Sequence, residues 1–234
     1  MVTVLIPTLN EEANVDLILN RIFLVKESCG IDFDILFVDS ASSDNTCKKV
    51  SSWESQGSVF LLRREINLGL AGAVIAGARF VKSTYLLVMD ADLSHPPEAI
   101  PHLLRPLLEN SHDMVVGSRY VEGGTMPDWP VTRKLYSKLA TFPALFFCNV
   151  KDPLAGFFAL KRELIADFPV NVPGFKIGFA VLAECGTGLR ILEVPIEFRD
   201  RDYGKSKMNK GVIYAYLRQL VSIAGRRISK RVLY

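Results

Sequence analysis

Short apolar runs closed by turn-forming or acidic residues alternate with stretches of helical period, and this alternation restricts the chain to an α/β domain on a largely parallel sheet. Strands are predicted at residues 2–6, 34–38, 59–62, 85–89 and 114–116. Between the first two, Val15, Ile18, Ile22 and Val25 recur at three and four residues, which predicts a helix with one apolar face. Similar helices are expected at 45–53, 68–81 and 97–108. The 234 residues are 49% hydrophobic and 23% charged, enough for one domain with a sizeable core. Residues 1–210 are expected to form it, with 211–234 an amphipathic basic helix.

In an open parallel sheet, ligands collect outside the carboxyl ends of the strands, where loops and helix N-termini converge. The polar signals fall there. The first strand runs into Pro7-Thr8-Leu9-Asn10-Glu11-Glu12, the second into Val38-Asp39-Ser40-Ala41-Ser42-Ser43-Asp44, the fourth into Asp90-Ala91-Asp92. Asp90 and Asp92 stand two apart, so strand alternation puts both carboxylates on one side. Two such carboxylates suit a hard divalent ion that substrate phosphates help to bind. One of them capping the next helix is the plainer alternative. Ser94 either adds an oxygen ligand or serves the turn.

Other classes recede. Cys29, Cys47, Cys148 and Cys185 lack metal-site or redox-motif spacing and read as buried small hydrophobes in a reducing compartment. Met1 runs straight into an apolar segment with no basic region before it, which argues against secretion. The longest apolar stretches, 139–150 and 212–224, are shorter than the ~20 residues that span a bilayer. Net charge is +3, yet residues 203–234 hold eight Lys/Arg and no Asp/Glu. The asymmetry points to an anionic partner, a membrane surface rather than nucleic acid. His95, His102 and His112 form no metal cluster by spacing; His95 reads as structural, the other two as surface residues.

Ile6-Pro7-Thr8-Leu9-Asn10-Glu11, the 38–46 loop and Met89-Asp90-Ala91-Asp92-Leu93-Ser94-His95-Pro96-Pro97 together resemble glycosyltransferase family 2 of the GT-A fold. Gly117-Ser118-Arg119-Tyr120, Asp152-Pro153-Leu154-Ala155-Gly156-Phe157, Gly174-Phe175-Lys176 and Arg201-Asp202-Tyr203-Gly204-Lys205-Ser206-Lys207 are similar to its dolichol-phosphate (polyprenol-phosphate) mannosyltransferases. The motifs cover nearly the whole chain in order. The resemblance implies a Rossmann-like GT-A domain that moves mannose from GDP-mannose to dolichyl or another polyprenyl phosphate with inversion, using Mg²⁺ or Mn²⁺.

By the same resemblance, Pro7, Glu11, Val38, Asp39, Asp90, Ala91 and Asp92 would line the nucleotide-sugar pocket with Lys176, Arg201 and Lys207. Asp92 would bind the metal, helped by Asp90 and Ser94. Arg119, Arg133 and Ser137 would hold the acceptor phosphate, while Lys176 and Arg201 face the donor diphosphate and sugar. Three positions depart from the pattern: Ser40 where a second Asp usually follows Asp39, Ala71 in a loop often richer in glycine, and Ala180 where a Glu is common, with Glu184 one turn on. A phosphate monoester is mostly ionised at neutral pH, so the lost Glu need not disable the transfer. Rival readings are a UDP-glucose-dependent polyprenyl-phosphate glucosyltransferase, a non-catalytic nucleotide-sugar binding module and a nucleotidyltransferase.

Two surfaces carry independent physics. Arg133 and Ser137, four apart in an expected helix, share one face, although Lys134 and Lys138 have the same spacing and the face also reads as a solvated basic one. In the C-terminal segment Ile213, Tyr216, Leu217, Leu220, Ala224 and Ile228 are expected on one face, with Arg218, Ser222, Arg226 and Ser229 opposite. That face either packs on the domain or meets a membrane surface or a small membrane-embedded partner subunit. The expected location is cytoplasmic and peripheral, on the cytosolic face of the endoplasmic reticulum in a eukaryote or of the plasma membrane in a prokaryote.

Overall fold

The computed structural model describes residues 1–169, 176–185, 188–200 and 210–232, with side chains of the last helix described at 211 and 213–226. Arg201 and Lys207 lie outside the described residues, as do Gly174 and Phe175. In chain order the elements are β1 (Val2–Thr8), α1 (Val15–Cys29), β2 (Asp34–Ser40), α2 (Thr46–Trp53), β3 (Val59–Arg64), α3 (Gly69–Phe80), β4 (Tyr85–Val88) and α4 (Ile100–Leu108). They continue as β5 (Met114–Ser118), α5 (Val131–Leu145), β6 (Phe158–Lys161), α6 (Glu163–Ala166), α7 (Ile177–Cys185), β7 (Ile191–Pro195) and α8 (Lys210–Val232).

The strands form one seven-stranded sheet in the order β3-β2-β1-β4-β6-β5-β7. Only β6 runs against its neighbours β4 and β5; the other pairs are parallel. Strand alternation then builds two cores. Val4, Ile6, Ile35 and Phe37 face α1 and α4, packing against Ile18, Ile22, Leu103 and Leu104. Leu5, Leu36, Val38 and Val88 face α3 and α7. Gly77 lets α3 approach closely: a Cβ there would stand 2.8 Å from Val38 and closer still to Leu5, so that these buried side chains would have to shift.

A third, smaller cluster joins α5, α7 and α8 through Ala144, Phe179, Ala183, Tyr216, Leu220 and Ile223. The inward face of α8 is therefore set by 216, 220 and 223. Ile213 and Leu217, expected on that same face, turn outward and are exposed beside Tyr214 and Val221. The docking is also polar. Tyr216 donates to the Ala140 carbonyl at 2.7 Å, Gln219 to the Lys176 carbonyl at 2.9 Å, and Arg226 pairs with Glu184 at 2.7 Å.

Two smaller expectations need correction. The cysteines are free and half-buried rather than fully buried. β4 stops at Val88, so Asp90 and Asp92 leave the sheet on a turn and strand alternation does not orient them.

Candidate active site

The carboxyl ends of β1 and β2 are fastened to each other by side-chain hydrogen bonds. Asp39, fully buried, accepts from Thr8 at 3.2 Å, from the Ser42 amide at 2.9 Å and from the Ser42 hydroxyl. The Asn10 amide donates to Ser42 Oγ, the Glu11 amide to Thr46 Oγ1 and the Glu12 amide to Asp44. In return Asn10 Oδ1 accepts from the Ser43 amide, and Glu12 accepts from the backbone and side chain of Asn45. Asn14 donates to Glu11 Oε2 at 2.8 Å. The lattice holds Asn10 at φ 56° and Ala41 at φ 62°, in the left-handed region that non-glycine residues seldom enter.

Leu93, at φ 62°, marks the same strain in the loop after β4. That turn is fixed from both ends. Ser94 donates its amide at 3.1 Å and its hydroxyl at 2.6 Å to Asp92 Oδ1, and the Asp90 amide donates to His95 Nδ1 at 3.0 Å. His95 is buried and stacked on Phe157 at 5.1 Å. Burial pushes its pKa down; Asp90 and Asp92 oppose this, and Lys176 and Arg119 add to it. With Nδ1 accepting, the neutral ring carries its proton on Nε2. The expectation of a structural His95 is borne out, and Ser94 holds Asp92 in place. Among the described residues no three His, Cys, Asp or Glu side chains converge as a metal cluster.

Across the sheet edge, Arg119 follows β5. Its Nε and Nη2 fork onto Asp152 at 2.8 and 2.7 Å, and its amide bonds the same carboxylate at 3.0 Å. Asp152 is fully buried and its own amide is held by Glu193 of β7. Tyr120, Trp129 and Phe198 surround the guanidinium at 5.2–5.7 Å from their ring centres. Burial works against its charge, but Asp152 outweighs burial and its pKa is raised. The loop after Asp152 then passes the carboxylate of Asp90: a Cβ at Gly156 would lie 3.2 Å from His95 and 3.6 Å from Asp90 Oδ2.

Arg133 and Ser137 do share a face of α5. Arg133 lies over Trp129, 4.0 Å from its centre, and its Nη1 contacts both oxygens of Asp200, at 2.7 and 2.9 Å. Ser137 accepts a hydrogen bond from Tyr120 at 2.7 Å. Lys176 stands at the start of α7. Burial and the like charge of Arg119 push its ammonium down to about 8, against the pull of Asp90 and Asp152. Asp90, Lys176, Arg119 and Asp152 thus lie within one electrostatic neighbourhood. Pro7 and Glu11 are half-buried at the mouth of the first loop, and Val38 and Ala91 are buried below it. Glu184, by contrast, is tied to α8.

Sequence reasoning gave no role to Asp152, Tyr120, Trp129, Phe198 or Asp200. Asp152 sat inside a quoted motif. Trp129, just before α5, is one of only two tryptophans in the chain.

Residues 3–168 match the family described as glycosyl transferase family 2. A dolichol-phosphate mannosyltransferase of Pyrococcus furiosus is 39% identical over 94% of this chain, which spans only 62% of that relative's length. An undecaprenyl-phosphate mannosyltransferase of Micrococcus luteus is 38% identical over 91% of this chain and 89% of its own. Among solved structures, glucosyl-3-phosphoglycerate synthase from Mycobacterium tuberculosis, crystallised with Mn²⁺, UDP and phosphoglyceric acid, superposes with a TM-score of 0.71 at 21% identity, covering 97% of this chain and 78% of that one. With the family match spanning most of the chain and identities near 40% over nearly all of it, this chain belongs to glycosyltransferase family 2.

Proposed function

We propose that this chain transfers mannose from GDP-mannose to a polyprenyl phosphate such as dolichyl phosphate, inverting the anomeric centre. The observation that carries the reading is the meeting, at one sheet edge, of the Asp90–Asp92 turn and Lys176 with a separate basic set on β5 and α5. The two named mannosyltransferase relatives agree in sugar and in polyprenyl phosphate and differ in the lipid.

The donor set around Asp92 consists of hard carboxylate oxygens, which fits Mg²⁺ or Mn²⁺ completed by substrate phosphate and water. Asp92 would hold the ion with help from Asp90, and the ion would supply charge neutralisation at the donor diphosphate. Ser94 keeps Asp92 oriented. Pro7, Glu11, Val38, Asp39 and Ala91 line the nucleotide side, with Arg201 and Lys207 assigned to the donor by resemblance alone. Lys176 puts a positive charge beside the leaving diphosphate. Arg133 and Ser137 bind the acceptor phosphate, and Arg119 supports them from behind. The acceptor needs no base, because the monoester arrives ionised. Its oxygen forms the new bond to C1 as the bond from C1 to the diphosphate oxygen breaks, and GDP takes the electron pair. In-line positioning and fixed positive charge are what the protein contributes.

The acceptor also implies a lipid surface. α5 exposes Val131, Leu135, Leu139 and Phe142 at helical spacing, with Lys138 alongside and Phe146 just past its end, and α8 adds Ile213, Tyr214, Leu217 and Val221. Among the described residues no helix is long and apolar enough to cross a membrane. An exposed apolar stripe of this size suits peripheral contact with a cytosolic membrane face or a membrane-embedded partner.

The test is incubation with labelled GDP-mannose, polyprenyl phosphate and Mg²⁺ or Mn²⁺, followed by lipid extraction, with UDP-glucose as the competing donor. Asp92→Ala is expected to lose about 100-fold or more in turnover at saturating metal. Near wild-type turnover would remove the metal assignment, and label carried only by UDP-glucose would replace the donor.

A further inference from the structure

We propose that Asp200 is a built-in stand-in for the acceptor phosphate: its carboxylate holds Arg133 in the free protein, and the incoming monoester takes its place. This rests on the acceptor assignment made above. The two arginines of the basic set differ in a way that singles out Arg133. Arg119 gives two nitrogens to a fully buried carboxylate that also takes its amide, so no ligand displaces Asp152 without stranding a buried charge. Arg133 meets Asp200 through Nη1 alone, and both side chains are more than 40% exposed. Such an exposed pair is weak and easily exchanged for a better-matched anion. A phosphate monoester brings nearly two charges and three acceptor oxygens, and it takes an arginine by the two-nitrogen fork that Asp200 does not use.

Arg133 keeps its place during the exchange because Trp129 holds it independently, with the guanidinium 4.0 Å from the ring centre. One turn on, Ser137 accepts from Tyr120, which orients its own O–H as a donor on the same face. Asp200 is tethered as well. Its amide donates to Asp128 at 3.1 Å, and the preceding Arg199 amide donates to the Ser94 carbonyl at 3.3 Å, in the turn that carries Asp92. The carboxylate therefore stays close by when displaced and pairs with Arg133 again once the product leaves. Arg133 is occupied in the empty site, and the apparent affinity for acceptor and product falls by the fraction of protein so paired.

The test uses the full chain and geranyl phosphate, a short monoester that dissolves without a bilayer, with calorimetry on wild type, Asp200→Asn, Arg133→Ala and the double variant. Asp200→Asn is expected to bind geranyl phosphate about two- to fivefold more tightly. The gain disappears in the Arg133→Ala background, where nothing is left to compete for. In turnover the acceptor KM falls by the same factor while the donor KM stays put, and Asp200→Glu behaves as wild type. Unchanged or weaker binding by Asp200→Asn overturns the proposal. So does tightening that persists without Arg133, which would mark a general field effect of the lost charge. If wild type and all variants fail to bind geranyl phosphate, the acceptor reading itself falls, and this inference with it.

Discussion

Lys176 carries a charge that its surroundings resist. Its folded pKa, near 8, lies below the ordinary lysine range, so above that pH the folded chain has shed a proton that the unfolded chain still holds. Folding stability therefore rises with pH from about 8 until the ordinary lysine value is passed, and below 8 the fold bears the cost of the buried ammonium. A bound diphosphate reverses the balance by favouring the charged form. Affinity for GDP-mannose is accordingly expected to be flat from pH 6.5 to 8 and to weaken above 8, approaching tenfold per pH unit. In Lys176→Met the affinity is lower at pH 7 and the break at 8 is gone. Calorimetry across pH 6.5–9 reads both, and a wild-type profile without the break would detach Lys176 from the diphosphate. Gly174-Phe175-Lys176 was visible in the sequence as a motif. The perturbation was not, because it arises from burial in the folded chain and from the charge of Arg119, against the pull of Asp90 and Asp152, groups that only folding brings together from distant parts of the chain.

Elements were legible where periodicity was strong and long. The apolar positions Val15, Ile18, Ile22 and Val25 of α1 are all buried as their spacing required, and the first five strands fall where the apolar runs placed them. β6 and β7 went unread for opposite reasons: β6 is four residues long, and β7 is an edge strand whose half-exposed residues include Glu193, turned to the Asp152 loop. α5 shows the limit of periodicity most clearly. Its apolar positions at 131, 135, 139 and 142 repeat at helical spacing just as a core face does, yet they point to solvent, while the polar Arg133 and Ser137 turn to the candidate site. The outward stripe predicts that Leu139→Glu combined with Phe142→Glu leaves the melting temperature nearly unchanged, because neither side chain is buried. Binding to vesicles with anionic lipid is expected to drop sharply in flotation, while turnover of geranyl phosphate is retained. Full flotation by the double variant would move the lipid contact away from α5.

At the scale of the whole molecule, the site is assembled from two halves with different sequence visibility. The half proposed for the nucleotide follows the adjacent parallel strands β1, β2 and β4, so its loops could be read in order from the chain. The half proposed for the acceptor depends on β6 running antiparallel, which brings the Asp152 loop to Arg119, and on α7 and α8 closing the third core cluster behind α5. Whether residues beyond 210 are a detachable appendage is therefore a question about the site as well as about membranes. Tyr216, Leu220 and Ile223 are each at least nine-tenths buried against α5 and α7, and Gln219 bonds the carbonyl of Lys176 itself. Truncating one such buried apolar residue costs about 2–5 kcal/mol. Losing all three at once is of the order of the whole folding margin, about 5–15 kcal/mol. A chain cut after Lys210 is expected to be unfolded or to melt far below the full chain, and to lose GDP-mannose binding as the support under Lys176 goes. Circular dichroism melting and calorimetry on the truncated chain measure the two effects. A cooperative, donor-binding domain without α8 would instead show that the helix is an appendage whose docking the catalytic unit does not require.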